Sequence, residues 1–322
     1  MSSQPPAFQK LAARRPGLRT PPAIFPPVMG LFGLGLAWRR GAEVAGLPGG
    51  IAEAVLGAVT LLYLFCLAAY LAKVWQRPGV LADEVRILPG RVGLAAGHLS
   101  GVLLAAALVP YAPGLALWVL GVAFVPHLAL GLWVLNAYVR GPEEARVITP
   151  VWHLTFVGYI LAPLTLVPLG YDGLSTVLLF ASLAMAGIIY AASAVQLVRR
   201  APPAPLRPLL AIHLAPVSLG ATVSAMLGLG GLAVVFAVLM VAVLAALLVA
   251  GRWITEAGFS AMWGAFTFPA AACASALLAT GWAVPGVLAL AAASGIILPI
   301  AAKVMQAWMK GGLAIKTNAA QA

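Results

Sequence analysis

The sequence predicts an all-α integral membrane protein of ten transmembrane helices paired as five helical hairpins. Three observations carry this. Of 322 residues, 63% are apolar and 8% charged, where a soluble domain devotes about a quarter of its residues to charge. Val92 to Val139, Pro208 to Gly251 and Ala257 to Ala302 contain no Asp, Glu, Lys or Arg. Each of these stretches accommodates two crossings of about 20 residues, and each has a turn signal near its middle.

The elements follow in order. The first pair is a helix over 22–38 and another over 50–75. The second, 89–109 and 113–139, turns at Val109-Pro110-Tyr111-Ala112-Pro113-Gly114. The third, 148–168 and 174–198, turns at Pro168-Leu169-Gly170-Tyr171-Asp172-Gly173. The fourth, 207–227 and 230–251, turns at Gly228-Leu229-Gly230-Gly231, and the fifth, 259–280 and 284–309, between Gly281 and Gly286 around Pro285. Residues 1–20 are expected to form a tail with an amphipathic turn near Phe8 to Arg15. Residues 21–310 form the membrane domain, and 311–322 a second short tail.

The net charge of +11 could suggest nucleic-acid binding until the basic residues are placed. With an even number of spans both termini share a side. That side collects Lys10, Arg14, Arg15, Arg19, Lys73, Arg77, Arg86, Arg91, Arg140, Arg146, Arg199, Arg200, Arg207, Arg252, Lys303, Lys310 and Lys316, leaving only Arg39 and Arg40 opposite. The asymmetry predicts cytoplasmic termini, and it makes the charge a matter of topology and anionic lipid rather than nucleic acid. Cys66 and Cys273 both lie in apolar runs, which argues against a disulfide framework or a cysteine metal site.

The first member of each hairpin is interrupted: by Pro26, Pro27, Gly30, Gly33 and Gly35; by Gly93, Gly97 and Gly101; by Pro150, Gly158 and Pro163; by Pro208, Pro216 and Gly220; by Gly264 and Pro269. A proline inside a span leaves a carbonyl unpaired, which hydrocarbon cannot satisfy but a protein interior or wet cavity can. The pattern predicts five broken inner helices around an axis, enclosed by five smoother lipid-facing ones. Close helix packing is the competing explanation for the same small residues.

His98, His153 and His213 lie on inner members and His127 on an outer one, without metal-ligand spacing. No Asp or Glu is central in a span, and no cofactor loop or nucleophile constellation is present, so neither an enzyme nor a carboxylate-coupled transporter is indicated. In the ninth helix, Trp263-Gly264-Ala265-Phe266-Thr267-Phe268-Pro269 sets aromatics beside a helix breaker, a combination able to plug a narrow lumen.

Four segments carry a family resemblance. Phe25-Pro26-Pro27-Val28-Met29-Gly30 opens the first span; Thr149-Pro150-Val151-Trp152 with Ala162-Pro163 resembles T-P-x-W…A-P; Leu206-Arg207-Pro208 with Ile212-His213-Leu214-Ala215-Pro216 resembles L-R-P…I-x-L-A-P; and Trp263 to Pro269 resembles W-x-x-[FY]-[ST]-F-P. Together they resemble the tellurite-resistance/dicarboxylate transporter family, which includes the TehA-like proteins, fungal malic acid permease and plant slow anion channels. The third helix, with Gly97-His98-Leu99-Ser100, matches only loosely, and His213 stands where the family commonly has Gln.

The resemblance implies ten helices in five hairpins around a quasi-fivefold pore, commonly a homotrimer with one pore per subunit and no cofactor. It also implies a pore gate on the ninth helix, carried by motif position to Phe268 with Phe266 as alternate. A pathway free of fixed acids is expected to pass anions by passive flow. The competing expectations are a proton-coupled C4-dicarboxylate or tellurite transporter using His98, His153 or His213, and a membrane scaffold that transports nothing.

Overall fold

A computed structural model describes residues 19–141 and 147–320, and all regular structure among them is helical. The main helices are α1 (Phe25–Ala45), α2 (Gly49–Gln76), α3 (Val80–Arg86), α4 (Leu88–Leu108) and α5 (Pro113–Arg140). They continue with α6 (His153–Leu169), α7 (Asp172–Arg199), α8 (Ala204–Met226), α9 (Gly230–Val249), α10 (Ala261–Ala279), α11 (Ala283–Met309) and α12 (Gly312–Lys316). The chain is a multi-pass membrane protein. Among the described residues eight helices are long and apolar enough to cross a bilayer: α2, α4, α5, α7, α8, α9, α10 and α11. The other two expected crossings, α1 and α6, fall outside that set: α1 bears Arg39, Arg40 and Glu43 near its end, and α6 is short.

Burial divides the helices into two classes. In their most apolar windows α4, α8 and α10 are 83, 78 and 67% buried, whereas α2, α5, α7, α9 and α11 reach only 17 to 28%. α1 is buried without a break from Phe25 to Gly35. The inner segments pack in sequence, α1 on α4, α4 on α6, α6 on α8, α8 on α10, and α10 back on α1. The outer helices expose apolar side chains such as Leu61, Val125, Val177, Val238 and Leu288, as a lipid-facing surface requires.

The expected interruptions appear in three of the five inner segments. α6 is a chain of short pieces: a π-helical turn at His153–Val157, a 3-10 turn at Gly158–Leu161, an α turn at Pro163–Leu166 and a 3-10 turn at Val167–Leu169. α8 begins as a 3-10 helix over Ala204–His213, containing Pro208, and becomes α-helical before Pro216. Such long 3-10 runs and π turns are uncommon and survive where surrounding protein satisfies the backbone. α10 carries Pro269 inside.

α1 and α4 correct the expectation of five broken helices, because both are continuous. Pro26 and Pro27 fall in the first turn of α1, where the missing N–H has no intrahelical role. The glycines of α4 serve close approach instead. A Cβ on Gly93 would lie 2.2 Å from the carbonyl of Pro22, and one on Gly97 would lie 3.1 Å from the Phe25 ring.

Two boundaries also differ. α1 runs past Trp38 to Ala45 because Arg39, which resembles a helix-ending charge in sequence, is satisfied internally by Glu53 and the Ala107 carbonyl. The N-terminal tail yields to packed structure by Thr20, which is fully buried and accepts a hydrogen bond from Lys73 at 3.1 Å. At the other end Leu313 and Ala314 of α12 are buried. The amphipathic turn near Phe8 to Arg15, with Lys10 and Arg14, and also Arg146, lie outside the described residues.

Candidate functional site

Four cavities lie along the axis, and each is lined by residues from all five inner segments. One lies toward their N-terminal ends, between Pro26, Val92, Leu154, Ile212 and Gly264; a second is bounded by Met29, Leu99, His153, Pro216 and Phe268. A third is bounded by Gly33, Leu103, Leu164, Thr222 and Phe268. The fourth, toward the C-terminal ends, is bounded by Arg40, Ala106, Pro168, Met226 and Ser275. From the first cavity to the fourth the lining moves from Pro26, Val92, Leu154, Ile212 and Gly264 to Arg40, Ala106, Pro168, Met226 and Ser275, so the inner segments run parallel.

The fourth cavity holds about 230 Å³, and the other three about 20 Å³ each. A water molecule needs at least about 10–15 Å³ on this measure, so each small void holds roughly one water. A hydrated anion does not fit. Phe268 borders all three small voids and is 6% exposed.

The residues flanking Phe268 explain its position. The Thr267 hydroxyl lies 2.7 Å from the Gly264 carbonyl and 3.0 Å from the Pro26 carbonyl, tying α10 to the start of α1. Contact at this depth needs bare α-carbons: a Cβ on Gly30 would sit 2.3 Å from Thr267, and one on Gly264 2.9 Å from Pro26. Pro269 then removes the N–H that would otherwise answer the Ala265 carbonyl. Threonine thus anchors the turn, phenylalanine borders the three small voids and proline loosens the helix behind it.

Of the other sequence-selected residues, Pro26 and Pro269 line the void nearest the N-terminal ends, and His153 and Pro216 line the next. Phe266 borders none of the four cavities; its ring packs edge-on against Trp263, centroids 5.6 Å apart. Phe25 is likewise off the axis, between Tyr63 and Tyr70 of α2. Pro27 packs toward Gly264, Pro150 forms the turn before α6, Pro163 opens its α-helical turn, and Pro208 is buried in the 3-10 part of α8. Gly30 and Gly97 are contact glycines.

The histidines form two pairs that sequence spacing does not reveal. His153 Nε2 and His213 Nδ1 are 2.9 Å apart, and the Tyr190 hydroxyl donates to the His213 carbonyl. His98 packs edge-on against His127, centroids 5.9 Å apart, and the Tyr159 ring also packs edge-on against His127, centroids 5.2 Å apart. His127 belongs to an outer helix but is fully buried, facing inward. Among the described residues no group of three or more His, Cys, Asp or Glu could hold a metal ion.

No curated protein matches the chain. The family profile described as voltage-dependent anion channel matches residues 19–308, from the residue before Thr20 to the last turn of α11. The match covers all five inner segments, their outer partners and the Thr267-Phe268-Pro269 turn, and the chain therefore belongs to the voltage-dependent anion channel family.

Proposed function

We propose that the chain is a gated, passive anion channel or uniporter of the cell (inner) membrane, with Phe268 as its gate. In this reading α1 and α6 also cross the bilayer, giving ten spans in a quasi-fivefold pore, with both termini cytoplasmic and three chains assembled as a homotrimer. The observation that carries the reading is the buried Phe268 ring, bordered by small voids along an axis lined by every inner segment. A membrane scaffold has no use for such an axis.

The voids beside Phe268 are lined mainly by Met29, Leu154, Ile212, Ala215 and Leu219, and no acid borders them. A dehydrated cation finds no carboxylate there. Closure is by an apolar ring, so opening requires the ring to turn aside and let water and a partly dehydrated anion through together.

Vesicles containing purified protein, loaded with chloride or nitrate, test the reading. Phe268→Ala is expected to raise passive anion flux at least about tenfold over wild type, and Phe268→Leu to give an intermediate value. Flux that stays at the protein-free level in all three overturns it. The His153–His213 pair favours a second reading, proton-coupled uptake of a C4-dicarboxylate or tellurite, because it puts one titratable group, His153, at the void next to Phe268 and a second, His213, 2.9 Å behind it. Uptake that requires an imposed proton gradient and disappears in His213→Gln supports that alternative.

A further inference from the structure

Arg39 and Arg40 are the two basic residues that fall against the positive-inside pattern, and the structure gives them different roles. Arg39 is committed to the fold. Its guanidinium donates to both Glu53 carboxylate oxygens at 2.8 and 2.7 Å and to the Ala107 carbonyl at 3.2 Å, fastening α1 to α2 and α4. Glu53 also accepts from the Tyr111 hydroxyl at 2.7 Å, so this carboxylate is fully engaged. Arg40 makes no ion pair among the described residues and lines the outer cavity of about 230 Å³.

The surroundings of that cavity make a free cation necessary for an anion to stop there. All five inner segments point their C-terminal ends at it, and each helix C-terminus carries about −0.5 of an elementary charge. Glu43, one turn beyond Arg40, lines the same space and adds a full negative charge. Against these stands Arg40, since the Arg39 charge is already answered by Glu53. On the measure by which one water needs at least about 10–15 Å³, this volume holds several waters, enough for a small anion with part of its hydration shell.

We propose that Arg40 forms an anion-binding site in the outer cavity, taking a small inorganic anion such as nitrate or a halide ahead of the Phe268 constriction, with Glu43 as the opposing negative charge. The Glu43 carboxylate, which shares the cavity without an ion pair to Arg40, opposes the anion by like-charge repulsion. The inference rests on the anion-pathway reading, but the site itself is an equilibrium property that does not require flux.

The full chain in detergent is titrated with sodium nitrate while its unfolding temperature is followed. Nitrate is expected to stabilise wild type and Arg40→Lys. Arg40→Gln, compared at each salt concentration, loses the response, and Glu43→Gln moves its midpoint to roughly tenfold lower nitrate, the effect of removing one like-charge repulsion of about 1.4 kcal/mol. An equal response in wild type and Arg40→Gln overturns the site. If Arg40→Gln does not fold, an unmoved midpoint in Glu43→Gln overturns it instead. Nitrate currents through Phe268→Ala vesicles separate this inference from the function it rests on. Currents with unaltered half-saturation in the Arg40→Gln, Phe268→Ala double variant sink the site and leave conduction standing. No current in Phe268→Ala, with Arg40-dependent stabilisation intact, sinks conduction and leaves the site.

Discussion

The Phe268 ring rests on the bare α-carbon of Gly33: a Cβ built on Gly33 would lie 3.0 Å from Cδ2 and 3.2 Å from Cε2 of the ring. Both distances are too short for unstrained contact, and Ala271 at 3.1 Å closes the remaining side. Gly33→Ala is therefore expected to push the ring from its seat. Overpacking of this kind costs about 1–3 kcal/mol, charged here to the closed state. Basal anion flux from vesicles should rise by about tenfold; a flux at or below wild type shows that the ring adapts without opening.

Glycines at other contacts predict loss of the fold rather than loss of closure. Gly93→Ala would drive a methyl to 2.2 Å from the Pro22 backbone, which cannot swing away as a side chain does. The expected result is a protein that no longer elutes as a single species in detergent. Gly121→Ala and Gly187→Ala serve as controls, since nothing lies within 4 Å of either position. Each is expected to gain about 0.5–1 kcal/mol from the better helix former, read as a higher unfolding temperature.

The buried pair Lys73–Glu84 gives a pH-dependent prediction. Both side chains are fully buried, 2.6 Å apart, and Lys73 also donates to the Thr20 carbonyl, so the pair pins the start of the fold to α2 and α3. Burial holds the Glu84 carboxyl above the usual carboxylate range, with Lys73 pulling it back down. In Lys73→Met the counter-charge is gone, and breaking such a pair costs about 3–5 kcal/mol while Glu84 stays ionised. A carboxyl raised in the folded state favours folding below its unfolded value, and that contribution is lost as pH rises through the folded value. The unfolding temperature of Lys73→Met should therefore climb as pH is lowered from about 8 toward about 5. A deficit that is constant over this range would place the damage in packing instead.

His213→Gln separates passive from coupled flow at the histidine pair. Glutamine retains a donor and an acceptor for His153 but carries no titrating proton. Passive conduction predicts anion flux within about twofold of wild type and no response of either protein to an imposed proton gradient. Acid-driven uptake present in wild type and absent from the variant would decide for coupling.

Much of the fold is legible in the sequence because lipid imposes a simple rule on it. The charge-free stretches and their Gly-Pro turns place the hairpins, and burial then sorts them into inner and outer members. The motif singles out Phe268, and Thr267 and Pro269 supply the physical reason for its place beside the voids. The histidine pairs were not, because His153 and His213 lie on different segments and meet only through the ring order of α6 and α8. The division of labour between Arg39 and Arg40 was hidden for a related reason. Glu53 and Ala107, which occupy Arg39, come from α2 and α4, and no local pattern around Arg39 announces them. Proline proved ambiguous: Pro26 and Pro27 begin a helix, Pro269 lies inside one, and only the chain's exit from the preceding turn tells them apart.

Five parallel inner segments leave the axis without any rotation that exchanges its two mouths. One end gathers five helix beginnings, the other five helix endings together with Arg40 and Glu43. The potential along an open pore is therefore tilted even when the salt on both sides is the same, and the protein should rectify. In symmetrical chloride the current through Phe268→Ala is expected to bend with voltage, its easier direction carrying anions from the arginine-bearing mouth toward the helix beginnings. A straight line through the origin would mean that water in the open lumen screens the ends before an ion feels them.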